Sequence, residues 1–155
     1  MYDLIIVGLG PAGISAAIYA SRYNMKVLII GSQVGGMISW THLVDNYPAI
    51  PEISGEDLSN KFLNHIERYK NCEIKKETIN AINKSNNIFY ISTENGEIIE
   101  GKSLILALGT DKKKANIKGE SEFLGKGVSY CTVCDGMFYK DKITAIIGSG
   151  DSALK

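Results

Sequence analysis

The 155-residue sequence has only three cysteines, Cys72, Cys131 and Cys134, and two histidines, His42 and His65. Three cysteines are too few for a disulfide-stapled scaffold, and a closely spaced pair in a reducing compartment is more often catalytic or metal-binding. A zinc site would need two further ligands, and neither Cys72 nor the histidines are paired as such ligands usually are. We therefore predict no metal site, and we assign no role to the histidines.

The sequence also lacks an excess of charge and a long apolar run. Lys and Arg number 17, as do Asp and Glu, so the formal net charge is zero. This balance gives no electrostatic reason to expect nucleic acid or an acidic membrane as a partner. No apolar run reaches the roughly 18 residues of a membrane span. Asp3 stands where a secretion signal would carry basic charge, so we expect a cytoplasmic protein.

The start of the chain has the pattern of a strand, a glycine turn, a helix and a second strand. Residues 3–7 and 26–30 are apolar runs of strand length, and apolar side chains recur at helical spacing over residues 14–21. This order predicts a βαβ unit with parallel strands.

The turn after the first strand carries the motif Gly8-x-Gly10-x-x-Gly13. The first glycine allows a tight turn, the second lets the backbone approach a pyrophosphate, and the third lets helix and strand pack closely. The helix N-terminus then directs free N–H groups at phosphates. The motif predicts a dinucleotide site. An acidic residue is expected where Gly31 ends the second strand, and Gln33 is the candidate for a neutral hydrogen bond to a ribose hydroxyl.

The middle of the chain predicts a loop, a helix and a small sheet. Residues 31–55 are rich in Gly, Ser and Pro, which predicts a binding loop. A helix is predicted over residues 54–69, with Ser54 as its cap. Residues 73–100 predict a small antiparallel sheet with a hairpin turn at Asn95-Gly96, in which both residues need positive φ.

The last third of the chain predicts two more strands. Residues 103–108 predict a buried strand, and residues 111–118 a polar linker. A further strand is predicted over residues 143–147, before Gly148-x-Gly150-x-x-Ala153, a variant of the nucleotide motif. This second motif indicates either another nucleotide site or, as we favour for this chain, a remnant that binds nothing. The chain stops in the first turn of the next helix, so we expect a fragment or a truncated gene product.

The third motif is Cys131-Thr132-Val133-Cys134-Asp135. Two cysteines at this spacing can close a disulfide across one helical turn. A helix N-terminus at Cys131 would stabilise its thiolate, the form that attacks disulfides, and the neighbouring acid can exchange the proton of the leaving thiol. A structural zinc or structural disulfide is the alternative. A thioredoxin fold is excluded, since its cysteine motif follows the first strand.

The order GLGPAG, VGGM, DNYP, LALGT, SYCTVCDGMFYKDK and GSGDSA resembles low-molecular-weight thioredoxin reductases over nearly the whole chain. The resemblance implies an α/β, Rossmann-like FAD/NAD(P)-binding three-layer fold with a small antiparallel β-meander. Residues 1–112 would be the first segment of a split FAD-binding domain. Residues 113–155 would begin an inserted NAD(P)H-binding domain that carries the redox dithiol.

The resemblance also implies roles and partners. Electrons would pass from NAD(P)H to FAD, to the cysteine pair and on to thioredoxin, in a homodimer. Cys134 would face the flavin, Cys131 would attack the protein disulfide, and Asp135 would be the acid–base residue. The implied cofactor-binding residues are Gly8, Gly10, Pro11, Ala12, Gly13, Ser32, Gln33, Gly35, Gly36, Met37, Asn46, Ala107, Gly109, Gly148, Gly150 and Ala153.

The FAD motifs depart from the family pattern in three places. Gly31 stands at the usual acid position, Met37 replaces a common glutamine, and Ala49 replaces a common glycine. Two alternatives therefore stay open. One is a ferredoxin-dependent flavin thioredoxin reductase, and the other is a flavin-binding or dimer-forming fragment without turnover.

Overall fold

The computed structural model describes residues 1–111 and 113–154, and the side chains at positions 133, 134, 151 and 152 lie outside that description. The chain forms two compact units, residues 1–110 and 111–155. In residues 1–110 the elements are β1 (Tyr2–Val7), α1 (Pro11–Arg22), β2 (Val27–Ile30), a 3-10 helix (Gly36–Trp40), α2 (Gly55–Ile66), β3 (Cys72–Lys75), β4 (Ile79–Ser85), β5 (Ile88–Thr93) and β6 (Ile98–Leu106).

All six of these strands belong to one mixed sheet, in the order β3-β2-β1-β6-β5-β4. β1 pairs parallel with both β2 and β6, and β2 pairs parallel with β3. β4, β5 and the first half of β6 form an antiparallel meander. The predicted βαβ unit with parallel strands is confirmed.

The helices cover one face of the parallel strands. Successive residues of a strand point to opposite faces of its sheet, and Leu4 and Ile6 of β1 share a core cluster with Ile14 of α1 and Ile66 of α2. Ile6 and Ile66 are fully buried in this cluster. Burial of apolar surface on this side therefore holds both helices against the sheet.

The meander covers the other face. Ile5 and Val7, which point away from the helices, share a second core cluster with Ile91 of β5 and Ile99 of β6. The first unit thus has three layers, namely helices, parallel strands and meander. This is the predicted three-layer α/β fold with a small meander.

α2 begins at the predicted cap. The Ser54 hydroxyl accepts a hydrogen bond from the backbone N–H of Asp57 at 3.0 Å and donates to the Asp57 carboxylate at 2.7 Å. The first of these bonds satisfies a backbone N–H at the helix start that has no partner inside the helix. The helix ends at Ile66, earlier than predicted.

The sheet prediction for residues 73–100 was partly wrong. β3 pairs parallel with β2, because α2 carries the chain back across the sheet before β3 begins. At the predicted hairpin turn only Gly96 has positive φ, at 82°. The other turn of the meander has positive φ at both residues, Asn86 and Asn87. That two-residue turn was not predicted.

Of the two later strand predictions, the one for residues 103–108 was right about a strand over residues 103–106 but wrong about its burial. The prediction for residues 143–147 was wrong. β6 ends at Leu106, and Leu106 is 57% exposed. β5 pairs with β6 only as far as Gly101, so within the described residues the rest of β6 has a neighbour on one side alone. Residues 143–147 form no strand, and Ile146 is 72% exposed. A buried parallel strand needs a neighbouring strand, and we find none for this segment in residues 113–154.

The second unit consists of short elements. They are α3 (Thr132–Asp135), a 3-10 helix (Gly136–Tyr139) and α4 (Asp151–Leu154). The predicted loop over residues 31–55 contains the 3-10 helix at Gly36–Trp40 and a bridge between Val44 and Ile53. In the part of the chain that the structure describes, no helix is both long enough and apolar enough to cross a membrane.

The cap of α2 gives a first prediction. Replacing Ser54 with Ala should lower the free energy of unfolding by about 1 kcal/mol, because the Asp57 N–H loses its acceptor. Urea unfolding followed by circular dichroism measures the loss. Ser54→Thr keeps the oxygen and should retain most of the stability. Equal losses in the two variants would contradict the capping role.

The thiol of Cys72 gives a second prediction. Burial is the main cause that raises its pKa to about 11 from 9.0, with a smaller increase from the Glu73 carboxylate. At a pH below both pKa values, the higher pKa lowers the fraction of Cys72 that is thiolate. Iodoacetamide should therefore alkylate Cys72 at pH 8 roughly 100-fold more slowly than an unburied thiol. Mass spectrometry of the Cys72 peptide gives the rate, and alkylation in urea is the control. Equal rates in buffer and urea would refute the effect of burial.

Candidate functional site

Most of the predicted cofactor residues of the first unit follow strands that end at one edge of the sheet. β1 ends at Val7, β2 at Ile30 and β6 at Leu106, and these three strands are parallel neighbours. The segments that follow them therefore start side by side. In open α/β sheets this carboxyl edge, where neighbouring connections diverge, is where ligands bind.

The turn at Gly8 is packed directly against the end of β6. The Gly8 N–H donates to the Ile30 carbonyl at 2.8 Å, and the Ala107 N–H donates to the Val7 carbonyl at 2.8 Å. Gly8 has φ 120°, and a Cβ there would lie 2.1 Å from the Ala107 carbonyl oxygen. Only glycine fits this position. The structure thus brings Gly8 and Ala107, two of the predicted cofactor residues, together.

Gly13 closes α1 onto the same turn. A Cβ at Gly13 would lie 1.9 Å from the carbonyl oxygen of Gly8. The packing of the protein itself therefore requires glycine at this position, because only glycine lets α1 lie this close to the turn after β1.

Gly10 differs from the other two glycines. Its φ is −82°, which any residue adopts, and the atom nearest to a Cβ there is the Gly35 carbonyl oxygen at 4.0 Å. Packing within the protein does not require glycine here. No side chain caps α1, which begins with Pro11 and Ala12. An open backbone face beside an uncapped helix start fits the pyrophosphate of a dinucleotide.

The loop after β2 joins the glycine turn. The Gly35 N–H donates to the Leu9 carbonyl at 2.8 Å, and a Cβ on Gly36 would lie 3.6 Å from the Cα of Gly10. Ser32 and Gln33 are exposed at the start of this loop, and Met37 is half-buried in its 3-10 helix.

Gln33 has a structural partner within its own loop. Its side-chain N–H₂ donates to the Ser39 hydroxyl at 2.8 Å and to the Gly36 carbonyl at 3.3 Å. Its contact with a ribose hydroxyl stays a prediction. At Gly31 a Cβ would lie 3.1 Å from the Leu9 nitrogen, which leaves little room for the acidic side chain expected there.

The remaining predicted cofactor residues lie on other segments of the chain. Asn46 is exposed in the segment between the bridged residues Val44 and Ile53. Gly109 is exposed, with φ 67°. Gly148, Gly150 and Ala153 belong to the second unit. There the Ala153 N–H donates to the Gly150 carbonyl at 2.9 Å and Gly148 has φ 134°, so a turn and a helix start form without a preceding strand.

The second unit holds the predicted redox residues on one helical turn. Cys131 is disulfide-bonded and half-buried, immediately before α3, whereas Cys72 is a free thiol. The Asp135 N–H donates to the Cys131 carbonyl at 3.0 Å. The side chain of Cys134 lies outside the described part of the chain, so its pairing with Cys131 stays a prediction. α3 has four residues, so its dipole is that of a single turn.

Ser129 bridges Cys131 and Asp135, which the sequence interpretation missed. Its hydroxyl accepts a hydrogen bond from the Cys131 N–H at 3.1 Å and donates to the Asp135 carboxylate at 2.5 Å. The Cys131 carbonyl lies 3.4 Å from the same hydroxyl. A serine two residues before a cysteine has no distinctive spacing, so no sequence signal marked it.

Glu120 is a second residue that was missed. It is only 5% exposed, and its carboxylate accepts hydrogen bonds from the Tyr130 hydroxyl and from the N–H groups of Ala115, at 2.8 Å, and Ile117, at 3.3 Å. The Tyr130 hydroxyl is the main cause that holds the pKa of Glu120 below its ordinary value. Glu120 therefore ties the residue before Cys131 to the polar segment after the first unit.

The sequence is similar to known proteins along its whole length. The family described as pyridine nucleotide-disulphide oxidoreductase matches residues 2–155. A thioredoxin reductase of Mycoplasma genitalium is 38% identical over 156 aligned positions, which cover 100% of this chain and 49% of that protein. The chain thus spans about half the length of the curated relatives it matches.

Solved structures agree with this comparison. Thioredoxin reductase from Streptococcus pyogenes superposes with a TM-score of 0.86 at 37% identity, covering 99% of this chain and 50% of that one. A ferredoxin-flavin thioredoxin reductase from Clostridium acetobutylicum superposes with a TM-score of 0.66 at 39% identity, covering 98% of this chain and 52% of that one. With its fold, its glycine turn and its full-length match, the chain belongs to the pyridine nucleotide-disulphide oxidoreductase family.

Proposed function

We propose that the whole protein is a flavin-dependent thioredoxin-disulfide reductase that carries electrons from NAD(P)H by way of FAD to the Cys131–Cys134 pair and on to thioredoxin. The observation that carries this proposal is the disulfide-bonded Cys131, with the Asp135 carboxylate hydrogen-bonded to the Ser129 hydroxyl beside it. Similarity to thioredoxin reductases supports it. We further propose residues 1–112 as the first FAD segment and residues 113–155 as the start of the inserted nucleotide domain.

The carboxyl edge of the sheet is the proposed FAD site. Gly10 would face the pyrophosphate, and the N–H groups at the start of α1 would bind its oxygens. The loop Ser32–Met37 would lie along the ribose and approach the flavin, and Asn46, Ala107 and Gly109 would complete the site. FAD, when bound, supplies the electron pair that reduces the disulfide.

The cysteine pair performs the exchange with the protein substrate. The Cys131 thiolate attacks one sulfur of the substrate disulfide, that S–S bond breaks, and the leaving sulfur takes a proton from the Asp135 carboxyl group. The Cys134 thiol then passes its proton to the Asp135 carboxylate, and its sulfur attacks Cys131. The second substrate sulfur is released and takes up a proton. The pair is oxidised to a disulfide and the substrate disulfide is reduced to two thiols.

Three finer points belong to this proposal. NADPH or NADH is the donor, with Gly148, Gly150 and Ala153 in the turn that would begin its site. The functional unit is a homodimer. The compartment is the cytoplasm, where thiols are kept reduced and a disulfide is usually transient and catalytic.

A second candidate changes only the electron donor. The similarity to the Clostridium acetobutylicum ferredoxin-flavin thioredoxin reductase, together with Gly31 and Met37 at positions where the family pattern differs, favours ferredoxin as an alternative donor. The glycine turn and the thiol exchange would be the same in both cases. Anaerobic titration with NADPH, NADH or reduced ferredoxin separates them, because only the true donor bleaches the flavin absorption band.

The glycine turn gives a prediction about flavin binding. In Gly10→Ala the new Cβ has room within the protein but occupies space that a pyrophosphate oxygen needs, so flavin affinity should fall by roughly tenfold or more. The thermal midpoint of the flavin-free protein should stay at the wild-type value. Flavin absorbance after gel filtration and a titration with FAD measure the effect.

Gly13→Ala is the contrasting variant. Its Cβ would collide with the Gly8 carbonyl, so this change should lower the stability of the flavin-free protein as well, by about 1–3 kcal/mol.

Flavin retention in Gly10→Ala equal to the wild type would contradict a pyrophosphate at that position. A wild-type protein that stays colourless with added FAD would overturn the flavin proposal.

The redox pair gives a prediction about turnover. In the whole protein, Cys131→Ser should abolish thioredoxin reduction, because the attacking sulfur is gone, while the donor should still bleach the flavin. Cys72→Ser is the matched control and should keep turnover, since Cys72 is a free thiol in a strand of the first unit. Coupled assays of thioredoxin reduction measure both. Full turnover in Cys131→Ser would remove this cysteine from the mechanism.

A further inference from the structure

The residues around Cys131 form a closed ring of hydrogen bonds. The Asp135 N–H donates to the Cys131 carbonyl at 3.0 Å. The Asp135 carboxylate accepts from the Ser129 hydroxyl at 2.5 Å, and that hydroxyl accepts from the Cys131 N–H at 3.1 Å. Asp135 is therefore linked to Cys131 through its backbone on one side and through Ser129 on the other.

The serine hydroxyl has one hydrogen and two nearby acceptors. The Asp135 oxygen at 2.5 Å is much closer than the Cys131 carbonyl at 3.4 Å, and a hydrogen bond to an ionised carboxylate is the stronger one. The hydrogen therefore points to Asp135 when the carboxylate is charged. The Cys131 N–H occupies one of the two lone-pair sites on the same oxygen.

The same serine can also hold a protonated Asp135. The carboxylic acid then donates to the remaining lone pair of the Ser129 oxygen, and the serine hydrogen turns towards the Cys131 carbonyl. Ser129 thus keeps a hydrogen bond to Asp135 in both protonation states. A residue that gives up and recovers a proton needs a partner of this kind to stay in one position.

The position of Ser129 is itself restrained. The next residue, Tyr130, donates its hydroxyl hydrogen bond to the buried Glu120 carboxylate, which also binds the N–H groups of Ala115 and Ile117. Ser129 is half-buried beside this anchor. Its hydroxyl accepts a hydrogen bond from the N–H of Cys131, the residue that precedes α3.

We propose that Ser129 is a positioning residue that holds the Asp135 side chain beside the cysteine pair while Asp135 exchanges protons with the thiols. The inference rests on the acid–base role of Asp135 in the proposed function. Ser129 transfers no proton to the substrate itself, and its whole effect passes through Asp135.

The test uses the disulfide of this chain and reduced glutathione as the attacking thiol. The rate of disulfide opening is followed from pH 5 to 9 by acid quenching, alkylation and mass spectrometry of the Cys131 peptide. The variants are Ser129→Ala, Asp135→Asn and the double variant. Ser129→Thr keeps the hydroxyl, and Ser121→Ala, at an exposed serine of the same unit, is the matched control.

Ser129→Ala should slow disulfide opening by roughly tenfold, which is the size expected when a positioned acid–base group loses one hydrogen bond. Its pH profile should approach that of Asp135→Asn. The double variant should be no slower than Asp135→Asn alone, because two residues that act as one unit are not additive. Ser129→Thr should restore most of the rate, and Ser121→Ala should match the wild type.

The outcomes separate the two proposals. If Asp135→Asn opens at the wild-type rate, the acid–base role in the proposed function is wrong, and this inference fails with it. If Asp135→Asn is slow but Ser129→Ala is not, only the inference about Ser129 fails. Fully additive losses in the double variant, or a uniform loss across the pH range with unchanged circular dichroism, would also overturn it.

Discussion

At the carboxyl end of β1 the chain turns through Gly8 with its backbone against the carbonyl of Ala107, where no Cβ can enter. This contact lets β6 run to the end of β1 and lets α1 start directly over the turn. It also sets the distance at which the loop after β2 meets the same turn, through the hydrogen bond from Gly35 to Leu9. The rest of the first unit depends on this turn, because three chain segments meet at the carboxyl edge of the sheet only if the turn stays tight.

The second unit is built on a different physical basis. It has short helices and few buried apolar residues, and its order around Cys131 comes from hydrogen bonds to Glu120, Ser129 and Asp135. The Glu120 carboxylate is buried, and its pKa is held below the ordinary value mainly by Tyr130. Such a network keeps its geometry only while each donor has its acceptor, since an unpaired buried polar group is costly.

Much of the first unit could be predicted because local patterns and tertiary structure agree there. Leu4 to Val7 are apolar enough to be buried on both faces, and Ser54 has the spacing of a helix cap. The direction of β3 could not be predicted from its own residues, because it depends on the path of α2. The exposure of β6 after Gly101 likewise depends on where β5 stops pairing.

The candidate site was predicted where backbone requirements dictate the residue. Gly8 and Gly13 could be predicted because turns of this type share the same steric limits. The spacing of the two cysteines can be read directly from the sequence. Ser129 and Glu120 could not be found in this way. Their roles arise from side-chain hydrogen bonds, which residue type and spacing alone do not specify.

The half-buried thiol of Cys72 bears on how the chain responds to oxidation by peroxides. Peroxides attack thiolates and convert them to sulfenic acid and then to irreversible higher acids. With its pKa raised to about 11, chiefly by burial, Cys72 offers almost no thiolate at neutral pH. The fold therefore lowers the reactivity of its third sulfur towards peroxides, while Cys131 is held in a disulfide.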